Sequence, residues 1–197
     1  MATFKAIASV SQAIVSIMND GAPKAEFPDA SFELFHAGSF KGATGRRLVS
    51  LYLYRVTVNG AVRNAGMTQV AEGRQRKPPL PLDLHYLLTV WWPDAVQQQR
   101  LLGSCMRELS MNATLASSIL NSPGPERDIF SESEMVELAI DNLSVQDMLN
   151  ITDAFKTDLQ ITVPYVARLV RIDAEDEAGG YPFVQTREFG MGRLVTR

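Results

Sequence analysis

The stretch "PPLPLDLHYLLTVWW", residues 78–92, decides how the rest of the chain is read. Two prolines stiffen its approach and Pro93 closes it. Between them Leu82, Leu84, Tyr86 and Leu88 fall on one face of an extended chain, and Asp83, His85, Leu87 and Thr89 on the other. A strand that is largely apolar on both faces belongs in the middle of a sheet covered on both sides. Asp83 and His85 are the polar exceptions. Two positions apart on one face, they lie about 7 Å from each other at the backbone, within reach of an ion pair or a hydrogen bond. They pose a choice between the start of an active site and a polar pair inside a sheet.

Working backwards, "LVSLYLYRVTV" at 48–58 is again apolar on both faces and rich in β-branched and aromatic residues, a second central strand that Asn59 and Gly60 turn. Residues 61–79 read as a connection, and three of the four residues at 74–77 are basic: Arg74, Arg76 and Lys77. Such a cluster is either a solvated loop or a binding contact. At the N-terminus, Phe4, Ile7, Ile14, Val15 and Met18 recur at helical spacing, with Ser9, Ser11, Gln12 and Ser16 as a polar face. These polar residues interrupt any signal-peptide core, and no apolar run approaches the roughly 20 residues of a membrane span.

Working forwards, residues 94–111 place Leu101, Leu102, Cys105, Met106 and Leu109 on one helical face, so Cys105 is expected as a packed thiol. "MVELAI" at 135–140 alternates as a short strand. Ser144 and Asp147 have the spacing of a capping box that opens a third helix, with Val145, Met148, Leu149 and Phe155 on one face. "LQITVPYVARLVRID" at 159–173 is a long strand, and Pro164 inside it predicts a sheet edge or a bulge, because proline cannot donate to a ladder. Beyond it, "DAEDEAGG" reads as a solvated spacer. Tyr181, Phe183, Val184, Phe189 and Met191 then supply more apolar surface than a frayed terminus carries. The expected organisation is a domain over 1–172 and an interaction arm over 173–197. The expected fold class is α+β: a single mixed, mainly antiparallel sheet packed with about three helices, plus an extended C-terminal arm.

Composition narrows function by exclusion. With 197 residues, 46% of them hydrophobic and 21% charged, the chain has the balance of one folded domain. A formal net charge of −3 provides no general field for a phosphate backbone, so nucleic acid is not an expected partner. One cysteine and two histidines exclude an internal disulfide, thiolate zinc sites and three-histidine metal sites. No nucleophile elbow, phosphate-binding loop or dinucleotide fingerprint occurs. The carboxylates of "DAEDE" lack the frame of a calcium loop. The expectation is a protein that is not an enzyme, with no cofactor and no metal.

The ordered series of motifs resembles the cap, or tail-terminator, proteins of phage-tail-like contractile injection systems. The resemblance is carried by the N-terminal helix, "LYLYRV" at 51–56 with Arg63 and Asn64, "PPLPLDLHYLLT" at 78–89, "QRLLG" at 99–103, "LSVQDM" at 143–148 and "YVARLVRID" at 165–173. In that family the block holding Asp83 and His85 recurs without associated chemistry, which favours architecture over catalysis. The resemblance implies a homo-hexameric ring on the end distal to the baseplate, with the terminal inner-tube ring and the terminal sheath ring as partners and neither membrane nor nucleic acid among them. It implies synthesis in the bacterial cytoplasm and assembly into a particle that stays there or is released by lysis. Within it, Pro164 and the arm residues Tyr181, Phe183, Val184 and Phe189 are expected to make partner contacts. Arg74, Arg76 and Lys77 are expected to face the tube or the central opening. A plain assembly adaptor that forms no ring is the competing expectation, from another class of function.

Overall fold

A computed structural model of the chain describes residues 2–62, 68–71, 74–76, 78–122, 128–155, 160–173 and 177–178. The elements run α1 (Ala6–Gly21), β1 (Ser31–Phe35), a 3-10 turn (Ala37–Phe40), β2 (Leu48–Val58), β3 (Thr68–Ala71), β4 (Arg74–Arg76) and β5 (Leu80–Trp91). They continue with α2 (Ala95–Met111), β6 (Thr114–Ala116), α3 (Ser117–Leu120), β7 (Met135–Ile140), α4 (Val145–Phe155), β8 (Thr162–Ile172) and β9 (Glu177–Ala178). Six strands form one sheet in the order β1-β2-β5-β8-β7-β6, in which only β1 and β2 run parallel. The fold is α+β with a mixed, mainly antiparallel sheet, as the sequence led us to expect. A second, three-stranded sheet in the order β3-β4-β9 adds to it.

The central position of β5 follows from its sequence. From Leu84 to Trp91 every residue is buried, because β2 and β8 flank the strand and helices cover both faces. On one face, Leu84, Tyr86, Leu88 and Val90 meet Val10, Ala13, Ile14 and Met18 of α1 and Leu101, Cys105 and Leu109 of α2 in the main core. On the other, Trp91 joins Phe35, Phe40, Ala43 and Leu48, with Tyr52 and Phe155 packed against them. The Trp91 indole donates to Ser50 Oγ at 2.8 Å, which satisfies its one polar atom inside the core.

Several expectations need correction. β2 is buried on both faces only over residues 48–51. Beyond Tyr52 its side chains open to solvent, and Val56 and Val58 are 43% and 45% exposed. The polar face read on α1 is partly internal: Ser9 and Ser11 are buried, Ser9 Oγ bonding Leu120 O and Ser11 Oγ the Tyr86 hydroxyl at 2.9 Å. Small hydroxyl side chains let the helix approach its neighbours closely and still find partners. Phe4, read as part of that helix, precedes it and is 70% exposed. The described residues form four α-helices rather than three; α3 is a single turn that no sequence signal marks. Residues 74–76, read as a loop, form β4, and residues 177–178 of the expected spacer form β9 beside it. Ser144 caps α4: its Oγ accepts from Asp147 N at 3.1 Å, and its hydroxyl, in place of the backbone N–H of a full capping box, donates to the Asp147 carboxylate at 2.6 Å.

Pro164 lies neither at an edge nor at a bulge. β8 is an inner strand, and Pro164 stands opposite Leu87 of β5. Its carbonyl accepts from Asp141 N at 2.9 Å, and Asp141 is the residue just past the end of β7. Since both main-chain polar groups of a strand residue point to one neighbour, the donor that proline lacks faces the place where β7 has ended. The bulge of β8 lies farther on, between Ala167 and Val170, where Leu169 adopts φ +62°.

Candidate assembly surface

Asp83 and His85 share a face of β5, as their spacing predicts, yet they serve different neighbours. Both carboxylate oxygens of Asp83 accept from the Asn59 amide, at 3.2 and 3.0 Å, and Oδ1 also accepts from Leu169 N at 3.1 Å. It therefore holds the β8 bulge, in which a non-glycine residue occupies the left-handed region.

His85, 8% exposed, reaches across β8 to Asp141, with Nδ1 2.7 Å from Oδ2. A carboxylate only accepts, so Nδ1 is assigned as the donor, and Nε2 meets the Thr57 hydroxyl at 3.0 Å. The Arg55 guanidinium lies over the Tyr54 ring and stands 3.9 Å from Asp141. Burial pushes the Asp141 carboxyl up. The hydrogen bond and charge of His85, the Asn142 amide and Arg55 outweigh that and hold it below the ordinary carboxylate value. The order Thr57, His85, Asp141 is that of a hydroxyl–imidazole–carboxylate relay, but Thr57 is a residue of the regular strand β2, next to its end, and stands opposite Asp83 in the ladder with β5. Surface cavities of about 520, 380 and 570 Å³ are lined by other residues. What the arrangement does physically is stitch β2, β5 and β7 together.

The residues expected to bind partners divide between the two ends of the sheet. Pro164 is near the start of β8. Arg74 and Arg76 lie on β4, which enters the small sheet at the other end, eight residues or about 26 Å along β8. In that sheet Arg76 stands opposite Glu177 and Gln75 opposite Ala178, so the basic segment and the acidic one are backbone partners. Lys77, Tyr181, Phe183, Val184 and Phe189 lie outside the described residues.

Sequence reasoning missed the surface made by the far end of β7 and the outer side of α4. There Ile140, Val145 and Leu149 are 56%, 78% and 42% exposed, and no residue of α4 is buried. At its end Phe155 stacks on Phe40 of the 3-10 turn with ring centroids 4.5 Å apart and meets Tyr52 of β2 edge-on. Val145 and Leu149 share the apolar face read from sequence, but that spacing alone could not show which part of the face meets the sheet.

Comparison with known proteins takes up this geometry. The family model described as the Pvc16 N-terminal domain matches residues 9–186. The chain belongs to the Pvc16 N-terminal domain family. Its fold is similar to the sheath/tube terminator of the PVC extracellular contractile injection system in the extended state, with a TM-score of 0.61 and 14% identity, over 97% of this chain and 65% of that one. It is also similar to the tube-terminating cap of the anti-feeding prophage, with a TM-score of 0.56 and 16% identity, over 89% of this chain and 59% of that one. This Pvc16 N-terminal domain thus spans less than two thirds of the length of either solved chain. No curated protein matches it. Among the described residues, no helix is long and apolar enough to cross a membrane, and no group of acidic, histidine and cysteine side chains is placed to hold a metal ion.

Proposed function

We propose that this protein is a structural, non-catalytic cap of a contractile injection particle. Six copies close into a ring on the end distal to the baseplate, touch the last ring of the inner tube and the last ring of the sheath, and end the growth of both. The observation that carries this reading is the similarity of fold over 97% of the chain to a protein that terminates sheath and tube. The physical need is general: head-to-tail stacks grow without limit unless something closes the end.

The six-stranded sheet suits that role because it ends on two short edge strands, β1 and β6, where a partner strand can add. Pro164, Arg74, Arg76 and Lys77, with Tyr181, Phe183, Val184 and Phe189 of the arm, are the residues proposed to meet partners. The protein is made in the bacterial cytoplasm and leaves it, if at all, as part of the particle on lysis. Electron microscopy of particles from a strain lacking the gene tests this: tubes and sheaths of irregular length, or separated from one another, are expected above an intact baseplate. Uniform, stable particles would end the reading. Native mass spectrometry of the capped end should give a six-fold multiple of the 21.8 kDa chain.

A further inference from the structure

The main sheet splits at one place. β7 pairs with β8 only from Glu137 opposite Arg168 to Ile140 opposite Tyr165. Farther along β8 the N-terminal Ala2 comes alongside Ile172 as a parallel bridge and accepts from Asp173 N at 2.7 Å. Between these attachments, residues 169–171 have no strand beside them on the β7 side among the described residues. A cavity of about 520 Å³ opens there, within the size range of ligand pockets, and Pro79, Pro81, Phe130, Met135, Val136 and Leu169 supply its apolar lining.

Its outer wall is fixed in place. Asn121 exchanges two hydrogen bonds with the Phe130 backbone, both at 2.9 Å, and Ser131 donates to Glu134 from its backbone and its hydroxyl at 2.9 and 3.0 Å. Met135 at the mouth is 64% exposed.

The direction of the chain beyond β8 identifies an occupant. β4 leads into the Pro79 rim of this cavity. β9 runs antiparallel to β4, with Arg76 opposite Glu177 and Gln75 opposite Ala178, so β9 itself points away from the Pro79 rim. Residues 179–197 can span about 60 Å when extended. They begin with Gly179 and Gly180 and then carry Tyr181 and Phe183, which fall on one face of an extended arm. We infer that residues 181–184 of one copy enter the sheet-split cavity of a second copy, their backbone running beside residues 169–171 and their aromatic side chains filling the apolar lining. This rests on the ring reading above and supplies its subunit-to-subunit joint. Occupation within one chain would require a complete reversal at the two glycines.

The test uses full-length protein in assembled particles. Ser133→Cys, on the cavity wall, is combined with Phe183→Cys and oxidised with copper phenanthroline. Buried Cys105 stays silent. A ladder of cross-linked species up to the hexamer is expected, with none from either single variant. A purely intramolecular disulfide, or cap-bearing particles that give no cross-link, overturns the inference and leaves the cap reading standing.

Met135→Arg, at an exposed position, provides a second readout in case the cysteines disturb docking. Trypsin should cut after Arg187 roughly tenfold faster in Met135→Arg particles than in wild-type ones, as the undocked arm becomes the populated form, while the melting temperature stays unchanged. Equal cleavage in both overturns the inference. Absence of the wild-type chain from the particle end would end the cap reading together with this one.

Discussion

His85 Nδ1 lies 2.7 Å from Asp141 Oδ2, which ties the middle of β5 to the residue that follows β7, two strands away. The link passes over buried Val166 on β8, and Thr57 extends it to β2. Four neighbouring strands are thereby held at one level by side chains as well as by their ladders. That suits a sheet proposed to sit against both the last tube ring and the last sheath ring.

Asp141→Asn should lower stability by about 1–3 kcal/mol, since His85 loses a charged acceptor in a largely buried site. The pH dependence gives its sign. A carboxyl whose folded value is depressed contributes stability that is present above the unfolded value near 4 and is lost as pH falls through the folded value. Urea unfolding of wild type and Asp141→Asn should therefore differ at pH 7 and converge at acid pH. A constant difference down to pH 2 would show that the charge of Asp141 plays no part.

Leu169 should discriminate sharply among substitutes. With φ at +62° and its N–H held by Asp83, Leu169→Asn is expected to melt several degrees above Leu169→Val, because asparagine tolerates the left-handed region and a β-branched residue does not. Asp83→Ala should cost about 1–3 kcal/mol by freeing that amide and Asn59 together. If Asn and Val melt alike, the bulge is not under the constraint described.

Cys105 should be inert while the protein is folded. Burial pushes its thiol up to about 12, so at pH 8 almost no thiolate forms. Maleimide labelling followed by mass spectrometry should show no adduct in native buffer and a single one in guanidinium. Rapid labelling of the native state would place the α2 face outside the core.

Phe155→Ala should loosen α4 without unfolding the domain. The ring stacks on Phe40 and meets Tyr52 edge-on at 5.2 Å, and no other α4 residue has a ring contact. The expected loss is about 1–2 kcal/mol, below that of a fully buried phenylalanine. Hydrogen exchange should quicken in residues 145–155 and leave β5 protected. Equal acceleration in β5 would mean that the helix and the sheet unfold as one unit.

The sequence alone determined the inner strand β5, the closing half of α1 with Ile14 and Met18 in the core, the opening residues of β2, the packed face of α2 with Cys105, and the Ser144 cap of α4. In each, the signal is local: side-chain period and cap chemistry depend on neighbours only a few positions away. The tertiary structure decided what Asp83, His85 and Pro164 do. The partners of Asp83 and His85, namely Leu169 and Asp141, are 86 and 56 positions distant, and no periodicity encodes such a meeting. Pro164 sits in an inner strand because β7 stops just short of it, a property of a different segment that proline's missing donor can tolerate but cannot announce. Likewise, residues 177–178 become a strand by pairing with residues 75–76 across about a hundred positions, on the side of β4 away from its near neighbour β3. Strand pairing is fixed by whichever edge is free in the folded chain, so composition showed a basic and an acidic segment and only the fold made them partners.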